Sequence, residues 1–298
     1  MSFTAADVKT LREKTGAGMM DCKKALQDAA GNFEAAIDLL KTQGLAKAIK
    51  KGDRVAAEGL IFNKVTGTCG ILLELNCETD FVAKNDDFLK LGAELVELVL
   101  ANKPADVAGA MAMQTSSGTV EEKINSLVAV IGEKISLRRF ASMHAKAGGR
   151  IGSYIHTGGK IVVLAEVSGS AVTEEVVRNI GMQAAAMNAA YIDKSEVPAD
   201  IIAREKAIQL DALKDSGKPA EILEKIVVGK LDKFASEMSL MQQAYIKDGS
   251  GKKTVAQYLK ESDPSAKIVQ FTRYQVGEGI EKKKDDFADE VAKMVSQG

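Results

Sequence analysis

The sequence repeats one order of elements, strand, turn, strand and helix, and this repetition constrains the fold more than any other feature. In the first copy, runs of apolar and β-branched residues at 59–64 and 71–76 flank the turn-rich segment Thr66-Gly67-Thr68. An amphipathic helix is then predicted to begin near Asp86, because apolar residues recur there at helical spacing. The first copy therefore predicts a strand pair followed by a helix.

The second copy follows the same order further along the chain. Its strands are predicted at 152–156 and 161–167, around the turn Thr157-Gly158-Gly159, and its helix begins near Thr173. A partial third copy is indicated by a strand at 268–276 and a helix that opens with Asp285-Asp286-Phe287. The pattern predicts an α+β fold whose core is a duplicated unit.

The first 55 residues have the pattern of a compact helical module. Thr4 and Asp7 have the spacing of a capping box, and Gly31 is placed to end a second helix in a left-handed conformation. A third helix is predicted to begin after Asn32 and to end at Gly44. A basic connector follows it, with Lys47, Lys50, Lys51 and Arg54. A three-helix bundle of this size would be marginal alone, so we expect it to be attached to a larger domain.

Residues 199–236 are predicted to form two helices joined by a turn of about five residues, which is typical of an antiparallel hairpin. Two interpretations remain open from the sequence. The pair either packs on its own domain or projects as a coiled-coil arm that meets a partner.

Length and charge argue against several classes of protein. The 298 residues suffice for two or three domains, and a net charge of −1 with 5% aromatic residues disfavours a globally basic nucleic-acid binder. Nothing approaches 18 consecutive apolar residues, and a signal-peptide pattern is missing, so we expect neither a membrane nor a secreted protein. Three cysteines form neither a disulfide framework nor a zinc motif, which indicates a reducing, cytoplasmic location.

Patterns for catalysis are missing as well. The two histidines, His144 and His156, belong to no cluster with metal-ligand spacing, and neither a phosphate-binding loop nor a dinucleotide fingerprint occurs. Cys22 lies on a predicted helix with no histidine nearby in sequence, which favours a buried structural thiol over a nucleophile. We therefore predict a binding protein without cofactor or metal, rather than an enzyme.

The segment Thr79-Asp80-Phe81 falls directly after a buried strand and allows two interpretations. Phe81 could fold back as a core plug. Alternatively, it is an exposed apolar anchor beside a carboxylate, suited to entering a pocket of another protein.

Two long segments resemble the signatures of the elongation factor Ts family. They are LREKTGAGMMDCKKAL at 11–26 and NCETDFVAKN at 76–85. The similarity continues in family order through 132–135, 154–156 and 277–281 and covers essentially the whole chain.

The resemblance implies a guanine-nucleotide exchange factor for the GTPase elongation factor Tu, which would bind its GDP-bound and nucleotide-free forms. It also implies a fold with a UBA-like N-terminal domain at 1–55, a core of small antiparallel sheets with helices, a protruding coiled-coil hairpin at 199–236 and a C-terminal helix. On this basis we divide the core at 56–140 and 141–298, with a C-terminal module at 267–298. A dimer of two such heterodimers is a further expectation.

The resemblance also implies which residues meet the GTPase. Thr79, Asp80, Phe81 and Val82 would enter its nucleotide-binding domain near the bound magnesium and displace that metal. Arg12, Met19 and Met20 would form an N-terminal docking surface, and His156 would approach the phosphate loop.

One segment departs from the family, since Gln243-Ala244-Tyr245 stands where Gln-Pro-aromatic is more usual. The missing proline leaves the conformation of this loop open. A second hypothesis is an RNA- or ribosome-binding accessory protein that uses the basic connector at 47–54, although the near-zero net charge counts against direct nucleic-acid binding.

Overall fold

The computed structural model describes residues 3–146, 148–214 and 219–281. Within these residues the helices are α1 Ala5–Thr15, α2 Met19–Asp28, α3 Phe33–Lys51, α4 Asp86–Asn102, α5 Val107–Met111, α6 Val120–Ile131, α7 Glu174–Ala186, α8 Ala199–Ala212, α9 Ala220–Met238 and α10 Val255–Ser262. The strands are β1 Glu58–Thr66, β2 Cys69–Cys77, β3 Gln114–Thr115, β4 Gly118–Thr119, β5 Ile135–His144, β6 Gly149–His156, β7 Ile161–Ser168 and β8 Lys267–Gln275.

The N-terminal helices α1 to α3 form a small bundle around Leu11, Cys22 and Leu26, all fully buried. The predicted capping box is confirmed, because the Thr4 side chain accepts from Asp7 N–H and the Asp7 carboxylate accepts from Thr4 N–H. Cys22 is buried as predicted, and its thiol donates to a backbone carbonyl in the bundle. Local sequence signals therefore define the start of this module correctly.

The predicted end of the third helix at Gly44 is wrong. Helix α3 continues through Gly44 to Lys51. Gly44 is buried where α3 crosses α6, and a Cβ built on it would lie 3.4 Å from the Cβ of Ala129. Because Gly44 has no side chain, the two helices can pack closely there. The sequence alone does not distinguish this role from that of a glycine that ends a helix. The basic connector consequently begins as the last turns of α3.

Two three-stranded antiparallel sheets, in the orders β1-β2-β5 and β6-β7-β8, repeat the predicted order of strand, strand and helix, but β8, predicted to open a third copy, is the third strand of the second sheet. In each, a hairpin is followed by a helix, α4 or α7, and a later strand pairs with the hairpin's second strand. Phe88 of α4 is buried in the first core and Ile180 of α7 in the second. Strand β5 runs through residue 140 and ends at His144, so the first sheet extends past the division drawn from the sequence.

The two sheets also share a buried glutamate at the sixth position of the central strand, next to a shift in register. Glu74 of β2 accepts hydrogen bonds from Arg138, Arg139 and the N–H of Gly277. Glu166 of β7 accepts from the N–H of Lys146 and the side-chain amide of Gln270. Both carboxylates are fully buried. This shared feature was not visible as a repeat in the sequence.

Helices α8 and α9 occupy the segment predicted as a hairpin and contact each other. Among the residues described here, α8 has no buried side chain, and Ile208, Ile222 and Val228 of the pair are exposed. The predicted C-terminal helix beginning at Asp285 lies outside the described residues.

The loop that lacks the family proline is well held. Gln243 and Tyr245 are buried, the Tyr245 ring stacks on Tyr258 at 4.1 Å between centroids, and Tyr245 N–H donates to Lys253 O at 2.8 Å. The side-chain amide of Gln183 donates to Ala244 O in the same segment at 3.0 Å. Side-chain hydrogen bonds and stacking thus fix this loop without the proline.

Candidate functional site

The loop after β2 presents a bare aromatic ring to solvent. Phe81 is 80% exposed, whereas the next two residues, Val82 and Ala83, are buried in the first core cluster within a short 3₁₀ helix, Val82–Lys84. The exposed-anchor interpretation of Phe81 therefore agrees with its placement, and the core-plug interpretation does not. Val82 was predicted to meet a partner with Phe81, but its side chain points into the core and supports the loop from beneath.

A carboxylate from another part of the chain holds the start of this loop. Glu133, in the connection between α6 and β5, accepts from the backbone N–H of Thr79 at 3.0 Å and from its hydroxyl at 2.8 Å. The neighbouring Glu78 accepts from Lys134 N–H at 2.6 Å. Hydrogen bonds to charged acceptors are the stronger kind, so these contacts fix the position from which Phe81 projects.

Asp80 carries a charge beside the exposed ring. Its carboxylate accepts from the Lys84 ammonium at 2.8 Å, and this hydrogen bond is the main cause that lowers the pKa of Asp80, with a smaller contribution from Lys160. The same Lys84 ammonium lies 5.9 Å from the centroid of the Phe81 ring, within cation–π range. Asp80 is thus ionised at neutral pH, and one lysine contacts both the acid and the ring.

The second sheet contributes to the same end of the molecule. His156 ends β6, and the turn that follows it, like the 3₁₀ helix after Phe81, contacts β1. Lys160 then donates to Glu58 at 2.8 Å and to Gly59 O at 3.1 Å, at the start of β1. His156 is half-buried, and its Nδ1 lies 3.5 Å from the Tyr154 hydroxyl. The exposed Ile155 precedes it in the strand.

Arg12, Met19 and Met20 lie on the N-terminal bundle. Arg12 is exposed on α1, and the two methionines at the start of α2 are 50% and 73% exposed. Consecutive residues on a helix rarely share a face, but here neither methionine contributes to the bundle core. Both methionine side chains are therefore on the surface of the bundle.

The sequence model of the family described as elongation factor TS matches residues 78–278, more than half of the chain. The chain belongs to the elongation factor Ts family. The matched range begins one residue before Thr79 and contains Asp80, Phe81 and His156. The N-terminal signature at 11–26 lies outside it and remains a resemblance.

The sequence of this elongation factor Ts family member did not reveal how the Phe81 loop is held. Glu133 is 54 residues from Thr79 along the chain, and Lys160 is 102 residues from Glu58. The only signal for Glu133 was that 132–135 resembles the family, without a role for any of its residues.

Two further observations concern the described part of the chain. None of its helices has the length and apolar character needed to span a bilayer. It also holds no group of three or more His, Cys, Asp and Glu side chains arranged to bind a metal ion.

Proposed function

We propose that this protein is the guanine-nucleotide exchange factor of elongation factor Tu, and that it acts by binding, without covalent chemistry. Family membership supports the elongation factor Ts role, and the observation that carries the proposed mechanism is the 80% exposed Phe81 on a tightly held loop. A large apolar ring in this position contributes little to the stability of its own chain. It can instead be buried in a pocket of another protein.

The energy available from Phe81 sets the scale of its effect. Fully burying a Phe side chain contributes about 1.5–3 kcal/mol. Each factor of ten in nucleotide release requires about 1.4 kcal/mol of preference for the nucleotide-free GTPase over the nucleotide-bound form. Phe81 can therefore account for roughly one to two factors of ten in release. Other contacts must supply the rest of a larger acceleration.

Asp80 is proposed to act on the magnesium shell of the GTPase. GDP is held in part by Mg²⁺, which neutralises the phosphates and binds oxygen ligands, water and carboxylates among them. An ionised carboxylate placed beside that shell competes for its waters and side chains. In the free protein Lys84 holds Asp80 ready in its charged form.

Glu133 is proposed to position this loop. Binding by a protein whose competent conformation is only partly populated is weakened by that fraction. The two hydrogen bonds from Thr79 to Glu133 keep the loop in one conformation before the partner arrives. His156, at the same end of β1, is proposed to approach the phosphate loop in the same encounter.

The N-terminal bundle is proposed as a separate docking surface through Arg12, Met19 and Met20. The exposed apolar side chains of α8 and α9 support the interpretation of this helix pair as a projecting arm. A contact between two heterodimers through that arm remains a prediction.

The basic segment at 47–54 gives no support to an RNA-binding function. Lys47 pairs with Asp21 at 2.9 Å, Arg54 pairs with Glu78 at 3.3 Å, and Lys51 donates to Gly132 O. Three of the segment's four cations are thus engaged within the protein, so the segment acts mainly as an internal connection between the bundle and the first sheet. Binding to RNA with a steep salt dependence would contradict this.

The test of the proposed function is the release of fluorescent GDP from purified elongation factor Tu, with and without this protein. The proposal predicts a release rate that rises with the concentration of the added chain and saturates. A release rate that stays unchanged at micromolar concentrations of the chain would contradict it.

A further inference from the structure

Cys69 and His144 form a pair at the far end of the first sheet, away from the Phe81 loop. They are direct partners in the register of β2 and β5, and the Cys69 sulfur lies 3.2 Å from His144 Nδ1. The strands stay paired beyond this point, because Ala145 N–H donates to Thr68 O at 2.8 Å. The two residues are 75 positions apart in the sequence, so no local pattern indicates that they meet.

Of the three cysteines, Cys69 is the accessible one. Cys22 and Cys77 are fully buried, whereas Cys69 is half-buried and its partner His144 is exposed. Burial raises the pKa of the Cys77 thiol to about 12, and that thiol donates to Thr79 O. The turn beside Cys69 is open, since a Cβ built on Gly67 would meet no atom within 4 Å.

We propose that Cys69 and His144 are a thiol-modification site that takes small-molecule disulfides of the glutathione disulfide class. His144 Nδ1 accepts the thiol proton, and the Cys69 sulfur attacks one sulfur of the disulfide. A new S–S bond forms to Cys69 while the disulfide's own S–S bond breaks. The departing thiolate takes up the proton, so one disulfide is consumed, one mixed disulfide and one free thiol are produced, and no other oxidant is needed.

This site is independent of the proposed exchange function. Cys69 opens β2 and Cys77 ends it, so about 26 Å of extended strand separates the pair from the loop that carries Phe81. A variant at Cys69 should therefore accelerate GDP release as the unmodified chain does. Loss of exchange activity in general would leave the thiol chemistry untouched.

The experiment treats the full chain with glutathione disulfide at neutral pH and follows adduct formation by intact mass and peptide mapping. We expect one glutathionyl group per native chain, on Cys69, and none on a Cys69→Ser variant. His144→Asn keeps a polar side chain of similar reach but removes the base, and general bases typically contribute about 100-fold or more. We therefore expect His144→Asn to react at least about tenfold more slowly.

A denatured control separates the pair's geometry from other effects of the substitution. In urea Cys69 and His144 are no longer held together. Cys69 should then react at the same rate in the unmodified chain and in His144→Asn. Three results would overturn the proposal: a first adduct on Cys22 or Cys77, a native His144→Asn rate close to that of the unmodified chain, or a difference that persists in urea.

Discussion

The loops that follow the central strands of the two sheets are held in the same way. After β2, Glu133 accepts from the N–H and the hydroxyl of Thr79. After β7, Asp263 accepts from the N–H of Ala171 at 2.7 Å. In each unit a carboxylate from a distant part of the chain fixes a short loop between a central strand and its helix.

The two loops differ in what they present. In each, an exposed residue directly precedes a buried valine: Phe81 precedes Val82 in the first sheet, and Ala171 precedes Val172 in the second. The duplicated framework thus supplies two rigid loops, and one side chain distinguishes the loop with an apolar anchor from the loop without one. The comparison assigns the proposed apolar anchor to Phe81 rather than to the repeated unit that carries it.

The buried glutamates should give the largest difference between the sheets. Glu74→Ala removes the buried carboxylate that Arg138 and Arg139 share, although both keep a contact with Glu278, and removing one member of a buried ion pair costs about 3–5 kcal/mol. Because the two guanidinium groups keep partial exposure, we expect a loss of about 3 kcal/mol in the free energy of unfolding. Urea denaturation measures it.

Glu166→Ala is the matched variant in the second sheet. Its donors are neutral, so the loss of their hydrogen bonds should cost less, about 2 kcal/mol. A larger loss for Glu166→Ala than for Glu74→Ala would contradict the distinction between a carboxylate held by charged donors and one held by neutral donors.

Lowering the pH should also reveal the contribution of the Glu74 carboxylate to stability. Burial acts to raise the pKa of Glu74, but hydrogen bonds from Gly277, Arg139 and Arg138 outweigh it, and the pKa is lowered from the ordinary value of 4.5. A carboxyl whose pKa is lowered in the folded state contributes stability above its unfolded pKa and loses it as the pH falls through the folded one. Below about pH 4.5, the free energy of unfolding should therefore fall less steeply for Glu74→Gln than for the unmodified chain. If the free energy of unfolding fell equally steeply with pH in both proteins, Glu74 would be excluded as a source of acid sensitivity.

Glu133→Ala should weaken exchange without abolishing it. The loop would lose two charge-assisted hydrogen bonds and populate other conformations, so the concentration needed for half-maximal GDP release should rise roughly tenfold while the maximal rate is largely kept. Glu133→Gln is the control, because its amide can still accept from Thr79 N–H and donate to the hydroxyl. If both variants lost activity equally, the charge of Glu133 rather than its positioning role would matter.

The smallest effect is expected from placing an aromatic ring on the second loop. Ala171→Phe adds an exposed side chain where no docking role is proposed, so stability should change by less than about 0.5 kcal/mol. GDP release should stay within twofold of the unmodified rate. A marked gain or loss of exchange would show that the second loop also meets the partner.

These comparisons also show where sequence reasoning succeeds. Thr4 with Asp7, and the turns at Gly67 and Gly158, are local signals, so the bundle start and both hairpins could be predicted. Gly44 misled because its role depends on Ala129 of another helix. The site was predicted in part, since Phe81 stood out after a strand, but its exposure and its support by Glu133 depend on contacts between distant segments.

The central claim is that Phe81 is an anchor for the partner and not a support for its own fold, and one paired measurement tests it directly. GDP release from elongation factor Tu and the urea midpoint would be determined on the same preparation of Phe81→Ala, with Ile246→Ala as a control at another exposed apolar residue. We expect catalysed release to slow by about tenfold or more, from lost burial of about 1.5–3 kcal/mol. The free energy of unfolding should change by less than about 1 kcal/mol. A Phe81→Ala protein destabilised by about 3–5 kcal/mol, whose folded fraction still exchanges normally, would contradict the account.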